Sequence, residues 1–520
     1  MDTLDPRIAE ALALLPEYLS AHVVLSMSAL ALGLVLSLPL GLAAARYRRA
    51  RWLLLGVASV IQTIPSLALL ALFYPLLLAL SALAEPFTGT QFSALGFLPS
   101  LLALTLYSML PILRNTVTGI EGIDAAVKEA ALGVGMTPGQ SLFQVELPLA
   151  APMIMAGIRT ASVWVIGAAT LSTPVGQTSL GNYIFTGLQT QNWIFVLFGC
   201  VAAAVLALAF DQVLGIAERL AARRDKRPLI AAGAGLAILL VASLFNPLGR
   251  GQPAYVVGAK GFAEQYVLAS LIGQYLGDAG YETATRSNLG SAVIFNALVA
   301  GDIDVYVDYT GTIWTNTMHR TDTPPREEML RQMSAYLRDT YGVRVLGTLG
   351  FENAYALGLR RDRAASLGLK AIEDLASVSA QMAVGGDYEI FSRPEWSALR
   401  AAYGLTFRQE RVMQPEFMYR AVADGEVDLI TAFSSDGRIA QYDLVLLADS
   451  KQAIPPYDAV LLVAPARAAD EKLAAALQPL IGGISIERMR EANLETSRET
   501  DQLPPAEAAR RLKRAITGAN

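Results

Sequence analysis

EAALGVGMTPGQSLFQVELP, residues 129–148, separates two long apolar segments in the N-terminal half of the chain. Its charges, glycines and proline would leave polar groups unsatisfied inside a bilayer, so we expect a loop at a membrane face. The run from Glu129 to Leu132 predicts the end of a short helix that stops at Gly135. Thr137 and Pro138 predict an N-cap and first-turn proline, with a second helix over residues 140–145. The pattern indicates a helix-turn-helix outside the membrane.

The same stretch resembles a known family motif. Glu-Ala-Ala, a glycine after three residues, and Val-x-Leu-Pro after nine more are similar to the EAA loop of ATP-binding-cassette importer permeases. Glu-Ala-Ala alone fits any amphipathic loop, whereas the full spacing between membrane segments favours the family. The resemblance implies docking on a separate cytoplasmic ATPase subunit, with a homodimer presenting two loops to two ATPases. The implied coupling residues are Glu129, Ala130, Ala131, Gly135, Leu147 and Pro148.

The composition of the 520 residues indicates a chain that lies partly in lipid. Hydrophobic residues make up 53% and charged residues 17%, and the mean hydropathy is +0.40. The length predicts two to four domains. A net charge of −5 argues against a nucleic-acid partner. The single cysteine excludes an intrachain disulfide, and His22 and His319 lack metal-ligand spacing.

Two arginine-rich runs predict the orientation in the membrane. Four arginines within residues 46–51 follow the first apolar segment, and a second basic cluster covers residues 218–227. Both are expected on the cytoplasmic side, which places the N-terminus and everything after Asn246 outside. Residues 52–84 are interrupted by Pro65 and Pro75, which predicts a kinked or re-entrant helix. The expected crossings are residues 22–45, 52–84, 98–113, 152–171, 193–216 and 228–245.

After Ala254 the sequence changes to short β-branched or apolar runs that alternate with amphipathic stretches. Alternating strands and helices predict an α/β fold with mainly parallel sheets, and roughly 270 residues suffice for two lobes. The predicted helices include residues 264–276 and 291–298. The predicted strands lie at residues 255–257, 303–306, 343–345, 382–384, 427–430 and 460–463.

This half resembles the extracytoplasmic binding proteins for glycine betaine, choline, carnitine and related quaternary amines. The matching runs are GAKGFAEQ (258–265), NLGS (288–291), GDIDVYVDYTGT (301–312), FENAYAL (351–357) and AFSSDGRI (432–439). The run DYTGT at residues 308–312 is the most specific of them. The resemblance implies a two-lobed periplasmic-binding-protein fold fused to its own permease.

The chemistry of such a ligand agrees with these residues. A trimethylammonium group has no hydrogen to donate, so a protein surrounds it with aromatic faces. The motifs imply a cage of Tyr309, Tyr355 and Tyr457, with Phe433 where the family has a fourth tyrosine. Arg393 matches the position that binds a ligand carboxylate. The remaining implied ligand-binding residues are Lys260, Gln265, Thr312 and Asn353, the last where some relatives carry aspartate.

Two other classes of protein were weighed against this prediction. An enzyme is disfavoured because the sequence lacks a phosphate-binding Gly-x-x-x-x-Gly-Lys-Ser/Thr motif, a metal cluster and a nucleophile motif. A ligand-sensing receptor would also fuse such lobes to membrane helices, but it needs no ATPase-docking loop. No catalytic residue, metal or cofactor is therefore expected on this chain, and ATP hydrolysis is expected on a separate subunit.

The sequence thus predicts a multi-pass protein of the cytoplasmic (inner) membrane. A helical permease of about six membrane helices is expected over residues 1–218, and a basic linker with an additional membrane helix over 219–252. A two-lobed α/β binding domain follows over residues 253–520 on the extracytoplasmic side. The transported solute is expected to be a quaternary amine of the glycine betaine, choline or carnitine class, or alternatively ergothioneine or another betaine-like solute.

Overall fold

The computed structural model describes residues 5–88, 94–190, 192–222, 254–498 and 501–518. The chain divides into two compact units. One contains residues 11–184 and 197–251, and the other contains 1–10, 185–196 and 252–520. The predicted domain limits at residues 218 and 253 stay predictions.

The N-terminal part is helical, as its apolar segments predict. Among the described residues, four helices are long and apolar enough to cross a membrane, or up to five spans if a bent pair counts as one. About six were expected in the permease, and the additional helix predicted at residues 228–245 lies outside the described residues. The helices are α1 (Pro6–Arg46), α2 (Arg48–Thr63), α3 (Ser66–Thr88), α4 (Phe97–Glu121), α5 (Ala125–Gly133), α6 (Pro138–Ser141), α7 (Leu147–Ala169), α8 (Gly181–Gln189) and α9 (Trp193–Ala222).

Helix α1 is much longer than the predicted crossing at residues 22–45. It begins at Pro6 and has 41 residues, which corresponds to roughly 60 Å at 1.5 Å per residue. A bilayer core needs only about 20 apolar residues. The sequence expectation was limited to residues 22–45 and missed the helical residues 6–21 that precede them.

Pro65 separates α2 from α3, and the two helices are bent by 102°. Proline disfavours a helical conformation in the residue before it, and Ile64 is accordingly extended, with φ −70° and ψ 127°. The Tyr107 hydroxyl donates a hydrogen bond to the Ile64 carbonyl, which the break leaves without a helical partner. The predicted kinked or re-entrant arrangement of residues 52–84 is confirmed as a sharp break at Pro65, whereas Pro75 lies within α3.

In the polar loop at residues 129–148, the structure confirms the predicted helix caps but corrects the prediction of the second helix. Gly135 has φ +84° just after α5. Thr137 and Gln140 form a reciprocal capping box around the first turn of α6. Residues 140–145 are helical as predicted, but they do not form a separate helix. A π-helical turn, Leu142–Glu146, joins α6 directly to α7, so the predicted second helix is the first part of a continuous 38-residue stretch, Pro138–Val175, that is long and apolar enough to cross a membrane.

The C-terminal half contains two five-stranded sheets. The first has the order β2-β1-β3-β10-β4, and the second β7-β6-β8-β5-β9. The strands are β1 (Tyr255–Lys260), β2 (Thr283–Leu289), β3 (Val305–Tyr309), β4 (Arg344–Glu352), β5 (Tyr355–Arg360), β6 (Ala383–Gly386), β7 (Gln409–Val412), β8 (Leu429–Phe433), β9 (Leu444–Leu446) and β10 (Asp458–Val463).

Both sheets are mixed, which corrects the prediction of mainly parallel sheets. Strand β1 pairs in parallel with β2 and β3, but β10 is antiparallel to both β3 and β4. In the second sheet β6 is parallel to β7 and β8, whereas β5 is antiparallel to β8 and β9. The reason is that the chain exchanges sheets twice, so that β5 and β10 enter from the other sheet instead of following a local βαβ crossover.

Helices accompany the strands, and the two helices predicted at residues 264–276 and 291–298 are confirmed as α10 and α11. The helices of this half are α10 (Ala263–Asp278), α11 (Ser291–Ala300), α12 (Thr310–Thr312), α13 (Arg326–Tyr341), α14 (Arg361–Leu367), α15 (Tyr388–Ser392), α16 (Pro394–Tyr403), α17 (Pro415–Ala423), α18 (Arg438–Gln441), α19 (Glu471–Leu477), α20 (Ile486–Ser497) and α21 (Pro505–Thr517).

The two sheet-exchange segments position the candidate site. One is the short link of residues 353–354 between β4 and β5, and the other is the segment 447–457 between β9 and β10. Asn353 lies in the first link, and Tyr457 is the last residue of the second. The Asn353 backbone N–H donates to the Tyr457 carbonyl at 3.0 Å, so the two segments are hydrogen-bonded side by side.

Candidate functional site

Three of the four predicted cage residues form one aromatic cluster. Tyr355 at the start of β5 lies opposite Phe433 at the end of β8 in the antiparallel pairing, and their ring centroids are 5.2 Å apart. The ring of Tyr457 meets that of Tyr355 edge-on at 5.9 Å. Both tyrosines are buried. Strand pairing and the second sheet exchange therefore bring together residues that are up to 102 positions apart in the sequence.

Gly311 allows Tyr457 to pack against the turn that follows β3. A Cβ atom at this position would lie 2.6 Å from the tyrosine ring, closer than two carbon atoms can approach without displacement. The neighbouring Thr312, a predicted ligand-binding residue, is buried in the same turn, α12. The glycine of the DYTGT run thus has a packing role that its sequence position alone did not reveal.

Arg393 supplies a cation to this aromatic cluster. Its guanidinium carbon lies 5.6 Å from the centroid of the Tyr355 ring and 6.0 Å from that of Tyr457, within the range of cation–π attraction. Its Nη1 donates to the Tyr457 hydroxyl at 3.0 Å. The side chain is only 5% exposed. The residue predicted to bind a carboxylate therefore lies beside the rings predicted to bind an ammonium group.

Two glutamates balance the charge of Arg393. Glu389 forms an ion pair with the guanidinium, and Glu395 Oε1 lies 3.4 Å from Nη1 and accepts the Tyr457 hydroxyl at 2.8 Å. Arg393 Nε and Glu395 Oε2 are buried, and neither has a hydrogen-bond partner among the described residues. The Nε donor of the arginine is thus available to a ligand. Sequence reasoning missed Glu395, although its position two residues after Arg393 at a helix start was a usable signal.

Tyr309 belongs to a neighbouring group of polar and aromatic residues. Its ring stacks on Phe262 with centroids 6.3 Å apart, and the Lys260 ammonium lies 5.4 Å from its centroid. Its hydroxyl donates to Glu264 Oε1 at 2.5 Å. Burial and the nearby Glu264 carboxyl raise the pKa of Tyr309 well above 10, so the phenol remains a donor at neutral pH.

Lys260 and Gln265 are fully engaged with the protein around Tyr309. The Lys260 ammonium forms a buried ion pair with Asp308, which also accepts the Tyr306 hydroxyl at 2.6 Å. The Gln265 amide donates to the Tyr309 hydroxyl and to the Val307 carbonyl, each at 3.0 Å. In this structure both side chains position Tyr309, and their predicted contact with a ligand stays a prediction.

Asn353 connects the two groups. Its backbone binds the Tyr457 carbonyl, as described above, and its Nδ2 donates to Glu264 Oε1 at 3.0 Å. Glu264 and Asp308 were not predicted as site residues, although both lie inside the matching runs at 258–265 and 301–312. Acidic side chains within apolar, strand-flanking motifs were the signal that could have identified them.

The predicted coupling residues share an exposed loop in the N-terminal half. Glu129, Ala130, Gly135 and Pro148 are exposed, Leu147 is half-buried, and Ala131 is buried. Around them, Leu132 is 59%, Val134 75% and Phe143 69% exposed. An exposed apolar surface of this kind is typical of a protein–protein contact.

Glu146 anchors the base of this loop and was missed from the sequence. The carboxylate is buried, and Arg46 at the end of α1 donates to its Oε1 at 2.9 Å, as does the Ser141 hydroxyl at 3.2 Å. One of the arginines that predicted the cytoplasmic side therefore also holds the loop against α1. Among the described residues, no group of three or more His, Cys, Asp or Glu side chains could hold a metal ion.

Comparison with known proteins gave two family matches. Residues 253–512 match the substrate-binding domain of the ABC-type glycine betaine transport system, and residues 37–224 match the inner membrane component of binding-protein-dependent transport systems. The chain is also similar to a solved structure described as a glycine betaine/carnitine/choline ABC transporter. That likeness has a TM-score of 0.45 and 25% identity, and it covers 50% of this chain and 99% of the other.

Two curated relatives illustrate the similarity. The ergothioneine transport permease/ergothioneine binding protein of Helicobacter pylori (strain G27) is 29% identical over 446 residues, which are 83% of this chain and 77% of the relative. A choline transport system permease protein of Bacillus subtilis (strain 168) is 42% identical over 198 residues, 38% of this chain and 84% of the relative. The name of the first relative mentions both a permease and a binding protein. The name of the second mentions a permease only.

Proposed function

Because the chain belongs to the ABC importers of the glycine betaine type, as an inner-membrane permease fused to its substrate-binding domain, we propose that it binds and imports a betaine. A betaine carries a quaternary ammonium group and a carboxylate on one molecule. The observation that carries this proposal is the position of Arg393, with an unpartnered Nε, beside the rings of Tyr355 and Tyr457.

Both ends of a betaine have a counterpart in this cluster. The aromatic faces can receive the trimethylammonium group. The carboxylate can accept from Arg393 Nε and replace the 3.4 Å contact of Glu395, which gives a charge-assisted hydrogen bond of the strong kind. Choline has the ammonium group but lacks the carboxylate. The curated relatives are named for both kinds of solute, since one is an ergothioneine protein and another a choline permease.

The proposal is tested by isothermal titration of the purified full-length chain in detergent. The ligands are glycine betaine, carnitine, ergothioneine and choline. We expect at least one carboxylate-bearing ligand to bind tenfold or more tightly than choline, since a hydrogen bond to a charged group contributes about 1.5–3 kcal/mol. Choline binding as tightly as every betaine would contradict the proposal.

Transport requires an ATPase, which the permease family implies as a partner. We infer that the ATPase contacts the apolar surface formed by Leu132, Val134 and Phe143 and that two copies of this chain assemble around the pathway. Exposed apolar side chains beside a structurally anchored loop support this docking site. Catalysis of ATP hydrolysis is assigned to that partner and not to this chain.

Docking is tested by co-purification of the ATPase with a Phe143→Asp variant. Phe143 is largely exposed, so the substitution should leave folding unchanged and reduce the amount of bound ATPase several-fold. Gln144→Asp is the matched control because it places the same charge on the adjacent exposed residue. Equal ATPase recovery with both variants would exclude Phe143 from the contact.

A ligand-sensing receptor remains the alternative from another class. Matches of the permease half to transport components over residues 37–224 favour an importer. ATP-driven uptake of a labelled betaine into proteoliposomes that contain the chain and its ATPase distinguishes the two. A receptor would bind the ligand without accumulating it.

A further inference from the structure

Arg159 of α7 forms an ion cluster with two carboxylates of α9. Its Nε and Nη2 donate to the two carboxylate oxygens of Asp211 at 3.0 and 2.9 Å, and its Nη1 donates to Glu218 Oε2 at 2.7 Å. Arg159 and Asp211 lie within segments that are long and apolar enough to cross a membrane, and Glu218 lies just beyond the second of them. The cluster combines one guanidinium with two carboxylates, so one negative charge is in excess.

The face of α9 that holds the guanidinium contains a glycine between the two carboxylates. Asp211, Gly215 and Glu218 follow one another at intervals of four and three residues, which places them on one side of the helix. A Cβ at Gly215 would lie only 3.1 Å from Arg159 Cζ. The guanidinium therefore lies directly against the backbone of α9, and its position is fixed from both sides.

The cluster borders an open cavity of about 380 Å³, which is within the usual range of roughly 300–1,000 Å³ for small-molecule sites. The side chains of Arg159 and Asp211 are 31% and 24% exposed, and Trp164 is 51% exposed. Each of the three therefore has surface that a solute can reach. The lining residues are Ala156, Arg159, Thr160, Val163 and Trp164 of α7 and Asp211 of α9.

The polarity of this cavity argues against contact with lipid tails. Ionisable side chains within membrane segments are costly in lipid, and almost always face the interior of a helix assembly or a water-filled cavity. Thr160, next to Arg159, is also exposed at the same cavity. An arginine, a carboxylate and a threonine around one opening fit a water-filled passage.

The residue types around the cavity repeat those of the candidate binding site in the other half of the chain. There, Arg393 pairs with Glu389 and Glu395 beside tyrosine rings. Here, Arg159 pairs with two carboxylates, and the cavity presents the indole of Trp164. Both places combine one arginine, two carboxylates and an aromatic surface.

We propose that this cavity is a second, weaker betaine site in the permease half, which receives the solute during its passage through the membrane. The inference rests on the proposed function. Trp164 provides an aromatic face for the trimethylammonium group, and the excess negative charge beside Arg159 attracts the same group. Arg159 uses three of its five N–H groups in the ion pairs described above, so another N–H can donate to the carboxylate of the ligand.

The expected affinity is lower than that of the binding domain. The cavity offers one aromatic ring, whereas the cluster around Arg393 offers Tyr355, Phe433 and Tyr457. A site on a transport path has to bind its solute weakly enough to release it. One ring with a paired arginine fits that requirement.

The direct test measures binding to the full-length chain in lipid nanodiscs by saturation-transfer NMR. The double substitution Arg393→Ala/Tyr457→Ala disables the site in the binding domain. The ligands are glycine betaine and 3,3-dimethylbutanoate, which share their shape and carboxylate and differ in the charged nitrogen. We expect the double variant to bind glycine betaine at millimolar concentrations and the isostere roughly tenfold more weakly, because a neutral carbon gains no cation–π attraction.

Trp164→Ala in the same background assigns the signal to the cavity. This variant should lose the preference for glycine betaine. Trp52→Ala, which removes another largely exposed tryptophan, should retain it. Equal affinities for the two ligands, no binding of glycine betaine to the double variant, or an unchanged preference in Trp164→Ala each overturn the permease site. Failure of the unsubstituted chain to bind any betaine overturns the proposed function as well.

Uptake by proteoliposomes that contain the chain and its ATPase gives a second test with an unsubstituted binding domain. Trp164→Ala should lower the maximal rate of betaine uptake about fivefold and leave the dissociation constant from titration within about twofold. Trp164→Phe keeps an aromatic face and should retain most of the rate, and Trp52→Ala should retain all of it. Unchanged uptake in Trp164→Ala overturns the proposal. Equal losses in Trp164→Ala and Trp164→Phe also overturn it, since they indicate a packing role.

Discussion

The loop at residues 129–148, which we expect to contact an ATPase, and the candidate binding site around Arg393 and Glu264 treat polar and apolar side chains in opposite ways. The loop exposes Leu132, Val134 and Phe143 to solvent and satisfies its own backbone with the Thr137–Gln140 capping box. The candidate binding site buries Arg393 and Glu264, and some of its buried polar atoms, such as Arg393 Nε and Glu395 Oε2, have no hydrogen-bond partner within the part of the chain that the structure describes. A loop that meets another protein offers apolar surface, whereas a cleft that meets a small charged solute keeps unsatisfied polar groups.

The sequence motifs do not distinguish exposed loop residues from buried site residues, but the structure does. In the loop, the choice of residue at each motif position is restricted mainly by the backbone conformation and by exposure to solvent. In the cleft, each motif residue contacts others, so a single substitution leaves buried charge behind. We therefore expect larger effects in the cleft than in the loop.

The largest effect is expected for Arg393→Ala. Removal of the guanidinium takes away the carboxylate partner, which should weaken betaine binding about 100-fold and leave choline binding within about threefold. Titration of the full-length chain with both ligands measures this. Arg408→Ala, which removes an exposed arginine, is the control. Equal losses for betaine and choline would show that Arg393 supports the fold and does not bind the carboxylate.

The next largest effect is expected for Tyr457→Ala. Loss of one aromatic face costs about 1–2 kcal/mol of cation–π attraction when desolvated, which corresponds to roughly tenfold in the dissociation constant. Tyr457→Phe keeps the face and should cost less, although it removes the hydroxyl between Arg393 and Glu395. Because choline has no carboxylate, titration with choline measures the contribution of the aromatic face alone. Identical losses for the two variants would remove the cage from the explanation.

A smaller effect, on coupling alone, is expected for Gly135→Val. A Cβ at Gly135 meets nothing within 4 Å, but the residue has φ +84°, and a side chain there costs about 1–2 kcal/mol. Ligand binding should be unchanged, and ligand-stimulated ATP hydrolysis of the reconstituted complex should fall about fivefold. Gly139→Val is the control, since Gly139 is equally open and lies in an ordinary helical turn. Normal stimulation in Gly135→Val would contradict the role of the turn.

The smallest effect is expected in the pH dependence of the stability of the binding domain. Burial raises the pKa of Glu264 above its ordinary value of 4.5, although hydrogen bonds from its neighbours oppose the shift. The folded protein then holds this proton more tightly than the unfolded chain. The resulting stability is fully present below pH 4.5 and is lost as the pH rises through the raised value, by at most about 1.4 kcal/mol per pH unit.

Glu264→Gln should abolish this part of the pH dependence. Denaturant unfolding of the full-length chain, followed at several pH values, measures the free energy of unfolding of the binding domain. Glu471→Gln, at an exposed carboxylate on α19, should retain the wild-type slope. A wild-type slope in Glu264→Gln would place the titrating group elsewhere.

Much of the fold could be predicted from the sequence. Strands with apolar, β-branched sequence such as β1, β6 and β10 were predicted. Strands β2, β5, β7 and β9 were not. Three of them lie at a sheet edge, where one side is open and the apolar signal is weak, whereas β5 is a central strand that enters its sheet directly from β4 of the other sheet. In the site, Tyr355, Phe433, Tyr457 and Arg393 were predicted from motifs, whereas Glu395 and Asn493 were not.

The sequence by itself determined that the N-terminal half consists of apolar helices, that the chain breaks at Pro65, and that Gly135 and Thr137 cap the loop at residues 129–148, because each feature depends on local spacing, hydropathy or backbone preference. Only the tertiary structure decided that Arg393 lies against the rings, that Lys260 is neutralised by Asp308, and that Asn353 and Asn493 both donate hydrogen bonds to Glu264. These features depend on the two exchanges between sheets, which join residues far apart in the chain. No local sequence pattern predicts which buried hydrogen-bond donor, such as Arg393 Nε, has no acceptor beside it among the described residues.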